Sequence, residues 1–350
     1  MKVISLNLSF IAFGFSLLLA QSLHADSNPN PQKSIFDLMH YKEVLEMTIE
    51  IDMEELQYNR RNQEYMTAGV WFEDANGKKQ AWRIKAKQRG KFRRMNCAMP
   101  PLKLNFKKAE LAVAGLAQFD DLKLVTHCIE NKAEAKKLLV REHLSYQLYH
   151  TLTDASFRTQ LVRITYKDIN TGKKTKQYGI IIEDLAQVRS RMNATKLKRE
   201  EIQVDQINKV QLQQVALFQY MIGNADWGIH AVRNIKMVKK GNTIEAIPYD
   251  FDFAGLVNAP YAIPNPNYYL ASVGERVYLG LEKNGTELAK TLAIFRAKQD
   301  TFHKVIKSSK QLAYEDRKEM LNYIDSFFQN TNDVQFAADK LKKHAAAVSQ

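Results

Sequence analysis

Cysteine is almost missing from this chain: Cys97 and Cys128 are the only two in 350 residues. Their spacing matches no zinc-ligand pattern, which excludes a structural zinc site of the usual kind. Acidic residues are also in short supply, with 38 Asp and Glu against 51 Lys and Arg, a formal net charge of +13. A surface that basic favours anionic partners (nucleotide, phosphorylated glycan, nucleic acid, membrane surface) without choosing among them. No recognisable nucleic-acid-binding motif is present, which counts against nucleic acid. No glycine-rich phosphate loop, internal repeat or low-complexity tract is evident either. Beyond residue 25 no apolar run is long enough to span a bilayer. At 45% apolar and 25% charged residues, the chain has the composition of a folded protein, with length enough for one large core or two lobes.

The one long apolar run is at the start. Met1-Lys2 precedes VISLNLSFIAFGFSLLLA, followed by Gln21-Ser22-Leu23-His24-Ala25-Asp26. This is the layout of a secretory signal, with cleavage expected after Ala25 and Ser22 as a second candidate. An uncleaved anchor is the competing reading, weakened by polar Asn7, Ser9 and Ser16. No cysteine follows the run for lipid attachment. The expectation is an exported protein, periplasmic or extracellular, with no transmembrane segment in the mature chain. Residues 26–36 then read as a polar, proline-containing linker. In an exported chain Cys97 and Cys128 can form a disulfide, with two buried free thiols as the alternative.

From residue 37 to 189 the pattern predicts a β-rich half. Alternating apolar positions over Glu43–Asp52 predict a strand, and Met53–Arg61 a short helix. Thr67–Phe72 and Ala81–Lys87 flank Asp74-Ala75-Asn76-Gly77, a hairpin signal. Further strands are expected at Pro101–Phe106 and Leu122–Thr126, with a second hairpin, Thr159–Tyr166 and Gln177–Glu183, around Asn170-Thr171-Gly172. Ala133–Thr151 carries apolar residues at helical spacing. From 190 to 350 helices dominate, at Val210–Ile222, Thr286–Ser308, Tyr314–Asn330 and Val334–Ala347, with the join near Glu183–Met192.

Two stretches carry the chemistry. In NADWGIHAVRNIKMVKKGNTIEAIPYDFDFAG, residues 224–255, short strands at Asn234–Val238 and Thr243–Ile247 are joined by a Lys-Gly-Asn turn. A hairpin brings its ends together, so Asp226, Asn234, Asp250 and Asp252 are expected close in space. Clustered hard oxygen ligands suit Mg²⁺ or Mn²⁺. The bland alternative is a set of turn-forming Asx residues, but these acids are embedded among apolar neighbours, where an unpaired carboxylate is costly. The second stretch places Arg83, Lys85, Lys87 and Arg89 on one face of a strand, followed by Gly90, Lys91, Arg93, Arg94 and then Lys103. A solvated face explains the alternation, but four cations with no acid between them call for an anion, and triphosphate is the natural one.

KAKQRGKFRR with PPLKLNF, QYGIIIEDL, and NADWGIHAVRN with IPYDFDFAG occur in an order that resembles the spore-coat protein H-type (CotH) kinases, and more distantly the HipA-type and lipid-kinase-like atypical kinases. The blocks lie within residues 85–255. The resemblance implies an α+β, two-lobed, atypical protein-kinase-like fold with a β-rich N-lobe and a mostly helical C-lobe. It implies transfer of the γ-phosphoryl group of ATP or another nucleotide to a protein or glycan hydroxyl. In that reading Asp226 is the catalytic-loop aspartate, Asn234 and Asp250 hold the metal, and Asp252 is a second ligand or a structural acid. Lys103 is the nearest substitute for the phosphate lysine, with Lys85 or Lys87 behind it and Arg89 beside them; Glu142 is the helix acid, with Glu130 as the alternative. The competing readings are a non-catalytic kinase-like module holding an anion in a basic cleft, and a metal-dependent phosphate-ester hydrolase. With export and with 122–128 a neighbouring strand of the basic block, Cys97 and Cys128 are expected to be bonded.

Overall fold

The computed structural model describes residues 32–280 and 285–331. The leader, most of the linker and the helix expected at Val334–Ala347 lie outside the described residues. Where the linker was expected to end, Ser34 caps a short helix, α1 (Ile35–Met39), in a reciprocal capping box with Asp37. Ile35, Phe36 and Met39 are fully buried, so this segment is part of the core and not a linker.

The β-rich half is built from β1 (Leu45–Ile51), α2 (Met53–Tyr58), β2 (Met66–Glu73), β3 (Lys79–Gln88), α3 (Phe92–Asn96), β4 (Leu102–Asn105), α4 (Lys108–Val113), β5 (Asp121–Val125), α5 (Lys132–His150), β6 (Thr159–Asp168) and β7 (Lys174–Ile182). Its strands close into a barrel in the order β1-β2-β3-β4-β5-β7-β6, shut by the parallel pairing of β6 with β1. The sheet closes for a simple reason. Leu45, Met47, Ile49 and Ile51 of β1 and Val162, Ile164 and Tyr166 of β6 all need the same interior, and pairing the two edges supplies it while removing both exposed edges. Buried and exposed residues alternate on β2 and β4, whose apolar residues face in.

The second half follows as α6 (Leu185–Arg191), β8 (Thr195–Lys196), α7 (Lys209–Ile222), β9 (Ile235–Lys240), β10 (Thr243–Pro248), α8 (Gly285–Ala297), α9 (Gln299–Ser308) and α10 (Tyr314–Asn330). The single helix expected over 286–308 is two, broken at Lys298. A second core joins the outer face of β6 and β7 (Leu161, Ile180, Ile182) through α5 (Leu139, Leu144, Leu148) to α7, the β9–β10 hairpin, Phe251 and α10. Each such fully buried aliphatic or aromatic side chain contributes roughly 1.5–3 kcal/mol, so α5, which touches both halves, is what fixes their relation. No helix among the described residues is long and apolar enough to cross a membrane.

Cys97, at the C-terminal end of α3, is bonded to Cys128, just ahead of α5, and Ala98 N–H donates to the Cys128 carbonyl at 2.9 Å. The bond closes a loop of sequence separation 31, which in the chain-entropy account stabilises the fold by about 3–4 kcal/mol. Reduction, or the Cys97→Ser/Cys128→Ser double variant, should therefore lower the melting temperature by several degrees. A melting temperature unchanged by reductant would show that the bond contributes nothing.

Candidate functional site

The acidic wall starts where α7 stops. Gly223 ends the helix at φ 67°, and a Cβ there would lie 2.0 Å from the Tyr323 hydroxyl, so both backbone and space require glycine. Asn224 then accepts from the Asp226 N–H at 3.0 Å, turning the chain so that Asp226 faces outward, half-buried. The loop is closed by reciprocal backbone bonds between Gly228 and Arg233. Its far end is Asn234, whose Nδ2 donates to the Asp226 carbonyl at 2.7 Å and to Asp226 Oδ2 at 3.0 Å. After the hairpin the chain returns alongside, with Gly255 N–H to the Gly223 carbonyl and Leu256 N–H to the Ile222 carbonyl, both at 3.0 Å. These bonds hold residues 250–252 beside Asp226. Burial raises the Asp226 pKa, with Arg233 (3.5 Å from Oδ1) opposing and the charge of Asp250 adding to it.

Helix α5 presents Glu142 and Tyr146, one turn apart, to the same segment. The Asp250 N–H donates to the Tyr146 hydroxyl at 2.8 Å, which holds Asp250 at φ 67°. Glu142 meets Arg93, from α3, at 3.2 Å, and the same Nη1 lies 3.6 Å from Asp252. Arg93 Nη2 donates to the Thr126 carbonyl at 2.7 Å. All three charged side chains are buried. Burial pushes Glu142 up to about 7 against the pull of Arg93, and holds Asp252 well above the ordinary carboxylate range. One arginine thus neutralises two acids from different halves of the molecule.

The basic wall is the outer face of the barrel. The register sets Lys87 opposite Lys103 and Lys103 opposite Lys123, a row of three lysines across β3, β4 and β5. Directly opposed like charges destabilise a sheet unless something offsets them. Lys87 lies over the Tyr65 ring at 4.5 Å, and Lys103 is taken by Asp121 at 2.7 Å. Lys85 is exposed and reaches Thr67 Oγ1 at 3.4 Å. Lys123 differs: its Nζ lies 5.0 Å from the ring centres of both Phe157 and Tyr249, the latter at the foot of the hairpin. Burial and then the cations Arg89 and Lys236 lower its pKa to about 7, with Asp250 and Asp184 opposing. The basic row therefore ends within electrostatic reach of the acidic wall.

Asp226, Asn234 and Asp250 are brought together as the hairpin reading expected. Asp252 is drawn away to Arg93, and among the described residues no three His, Cys, Asp or Glu side chains are grouped closely enough to hold a metal ion by themselves. The expected Glu142 stands in the site with Arg93, not Lys103, as its partner. The sequence reading passed over Lys123 and the burial of Arg93. Lys123 had a faint signal, a lone cation between Leu122 and Leu124 on a strand next to other lysines.

No protein-family model and no curated protein matches the chain. Among solved structures it is similar to the crystal structure of a Helicobacter pylori proinflammatory kinase, CtkA. Identity is 9% and the TM-score 0.39, with 71% of this chain and 92% of that one covered. A likeness that slight is too small to argue from.

Proposed function

We propose that the protein is an exported, metal-dependent phosphotransferase of atypical two-lobed kinase type. It would move the γ-phosphoryl group of ATP or a related nucleotide to a protein or glycan hydroxyl. The observation that carries this reading is Lys123, crowded by Arg89 and Lys236 at the end of a lysine row and within reach of Asp250. Cations held together against their own repulsion favour a polyanion, and acids within electrostatic reach of them favour one that arrives with a divalent cation.

In this reading Lys123, with Arg89 and Lys236, grips phosphate oxygens, and Lys87 and Lys103 extend the field. A strand lysine followed by a helix glutamate is the kinase order, but here Arg93 has become the partner of Glu142. The donor set suits Mg²⁺ or Mn²⁺, which keep several waters and need only one or two carboxylates beside substrate phosphates. Asp250 and the side-chain oxygen of Asn234 would hold the ion. Asp252 would act as the structural acid that keeps Arg93 in place. When bound, the metal would neutralise charge building on the transferred group. Asp226, oriented by Asn234, would accept the proton of the acceptor hydroxyl.

Thermal-shift titration with ATP, GTP and Mn²⁺, separately and together, tests this. Nucleotide and metal together should stabilise the protein more than either alone. The pairing of Asp252 with Arg93, which takes one acid out of the group, favours a second reading, an anion-binding module without chemistry. That reading predicts stabilisation by nucleotide indifferent to metal.

Lys123→Ala should weaken nucleotide binding by about 2–4 kcal/mol, roughly 30- to 1,000-fold, since a desolvated charge contact is lost. Affinity of the parent should also depend on pH. The free-state pKa of Lys123, about 7, is lowered by burial and by Arg89 and Lys236, and a bound phosphate restores it upward. Binding therefore takes up a proton above pH 7, and Kd should rise by up to about tenfold per unit from pH 7 to 9. Calorimetry in buffers of different ionisation heat reads the proton uptake. A Lys123→Ala protein that binds like the parent, with no proton uptake, would refute the assignment.

A further inference from the structure

Beside Asp226, on the side facing residues 263–273, lies a cavity of about 340 Å³. Phe253, Ile263, Pro264, Pro266 and Leu270 give it apolar walls, and Asp226 and Arg233 stand at its edge. Asn265 shapes it from below by donating to the Ala225 carbonyl at 3.0 Å. Phe253 is in turn part of an aromatic group with Tyr261 and Phe92, with ring centres 5.4 Å apart for Phe92 and Phe253. Phe92 is 40% exposed and belongs to α3, the helix that also carries Arg93. The cavity is walled by the second half of the molecule, with Phe92 of the first half packed against its Phe253, and it holds the one carboxylate the proposed reaction needs as a base.

We propose that this cavity receives the acceptor, and that the acceptor is the phenol of a tyrosine side chain in a peptide with acidic residues beside it. The proposal rests on the phosphotransferase reading and names the substrate of that site. Its volume is at the small end of ligand pockets, which run from roughly 300 to 1,000 Å³. A cavity of roughly 150 Å³ already encloses a benzene ring, so a tyrosine ring fits here with room for neighbouring peptide atoms. The apolar walls match a ring, whereas a serine or threonine reaching Asp226 would leave them against water. Arg233 is half-exposed and 3.5 Å from Asp226, so it can also meet an acidic neighbour on the peptide. In the reaction the phenolic oxygen forms a bond to the γ-phosphorus. The bond from that phosphorus to the β–γ bridging oxygen breaks, and the nucleoside diphosphate leaves with the electron pair. The phenolic proton goes to Asp226.

Degenerate peptide libraries with a fixed central Tyr, Ser or Thr, each made with and without flanking Glu, test this with ATP and Mn²⁺. The expected result is transfer to the tyrosine library at least tenfold above the other two, and highest with flanking Glu. Leu270→Asp should raise KM for the tyrosine library at least tenfold, while nucleotide affinity, measured in parallel, reports that the cleft is folded. The milder Leu270→Ala should move KM in the same direction if the aspartate variant does not fold. Transfer mainly to serine, threonine or a sugar would overturn the tyrosyl site and leave the phosphotransferase standing. Nucleotide binding with no transfer to the tyrosine library would overturn the tyrosyl site as well. Absence of any metal-dependent nucleotide binding would overturn both.

Discussion

Asp226→Asn should leave nucleotide affinity near that of the parent and cut phosphoryl transfer by about 10²–10⁴-fold. Asp250→Asn should fail differently, losing the metal-dependent part of nucleotide binding together with activity. The difference follows from their partners. Asp226 is tied to Asn234 through a hydrogen bond from the Asn234 amide, and an asparagine there can still offer its oxygen to that amide. The shape of the loop survives while the basic group is lost. The position of Asp250 is set by its backbone, through the N–H bond to Tyr146, so Asp250→Asn preserves placement and removes only charge. If the two acids were merely turn-forming residues, both variants would lose stability alike and neither would show a metal-linked difference. Nucleotide affinity with and without Mn²⁺, single-turnover transfer and melting temperature, measured on both variants, decide between these outcomes.

Arg93→Ala should destabilise the protein by about 3–5 kcal/mol, the usual cost of stranding buried charges. Two carboxylates, Glu142 and Asp252, would lose their shared cation, and Oε1 of Glu142 and Oδ2 of Asp252 already have no hydrogen-bond partner among the described residues. The loss should depend on pH in a defined direction. Burial raises the Glu142 pKa to about 7 in the fold, above its unfolded value, so its effect on stability is most favourable at low pH and is lost as pH rises towards 7. Asp252 is raised in the same sense. Without Arg93 both rise further, because the cation opposing burial is gone. The melting deficit of Arg93→Ala should therefore be largest at about pH 8 and shrink towards pH 5, well below the Glu142 value of about 7. A deficit independent of pH, or one that grows towards pH 5, would show that Arg93 does not neutralise these acids.

Much of the local structure could be read directly. Period-two alternation marked β1, the Asp-Ala-Asn-Gly and Lys-Gly-Asn turns marked their hairpins, and helical spacing marked α5. The hairpin also told in advance that Asp226, Asn234 and Asp250 would meet, because a turn of known type forces its ends together. The two cysteines were legible as a pair because no others compete.

What the sequence alone could not decide was which elements meet. Alternation says that one face of a strand is buried but not against which strand, so the parallel pairing of β1 with β6, and with it the closed barrel, appears only when distant edges come together. Arg93 sits in a run of cations and reads as part of a patch that faces an anion. It is buried because α5 brings Glu142, and the segment after the hairpin brings Asp252, to a point that neither carries in its own local pattern. Lys123 lies unmarked within an expected strand, and Lys103 reads as the phosphate ligand. Cross-strand pairing gives Lys103 to Asp121 and leaves Lys123 against Tyr249, beside Arg89 and Lys236. A side chain's charge is written in the chain, but its electrostatic environment comes from neighbours far along it, and only tertiary packing supplies those.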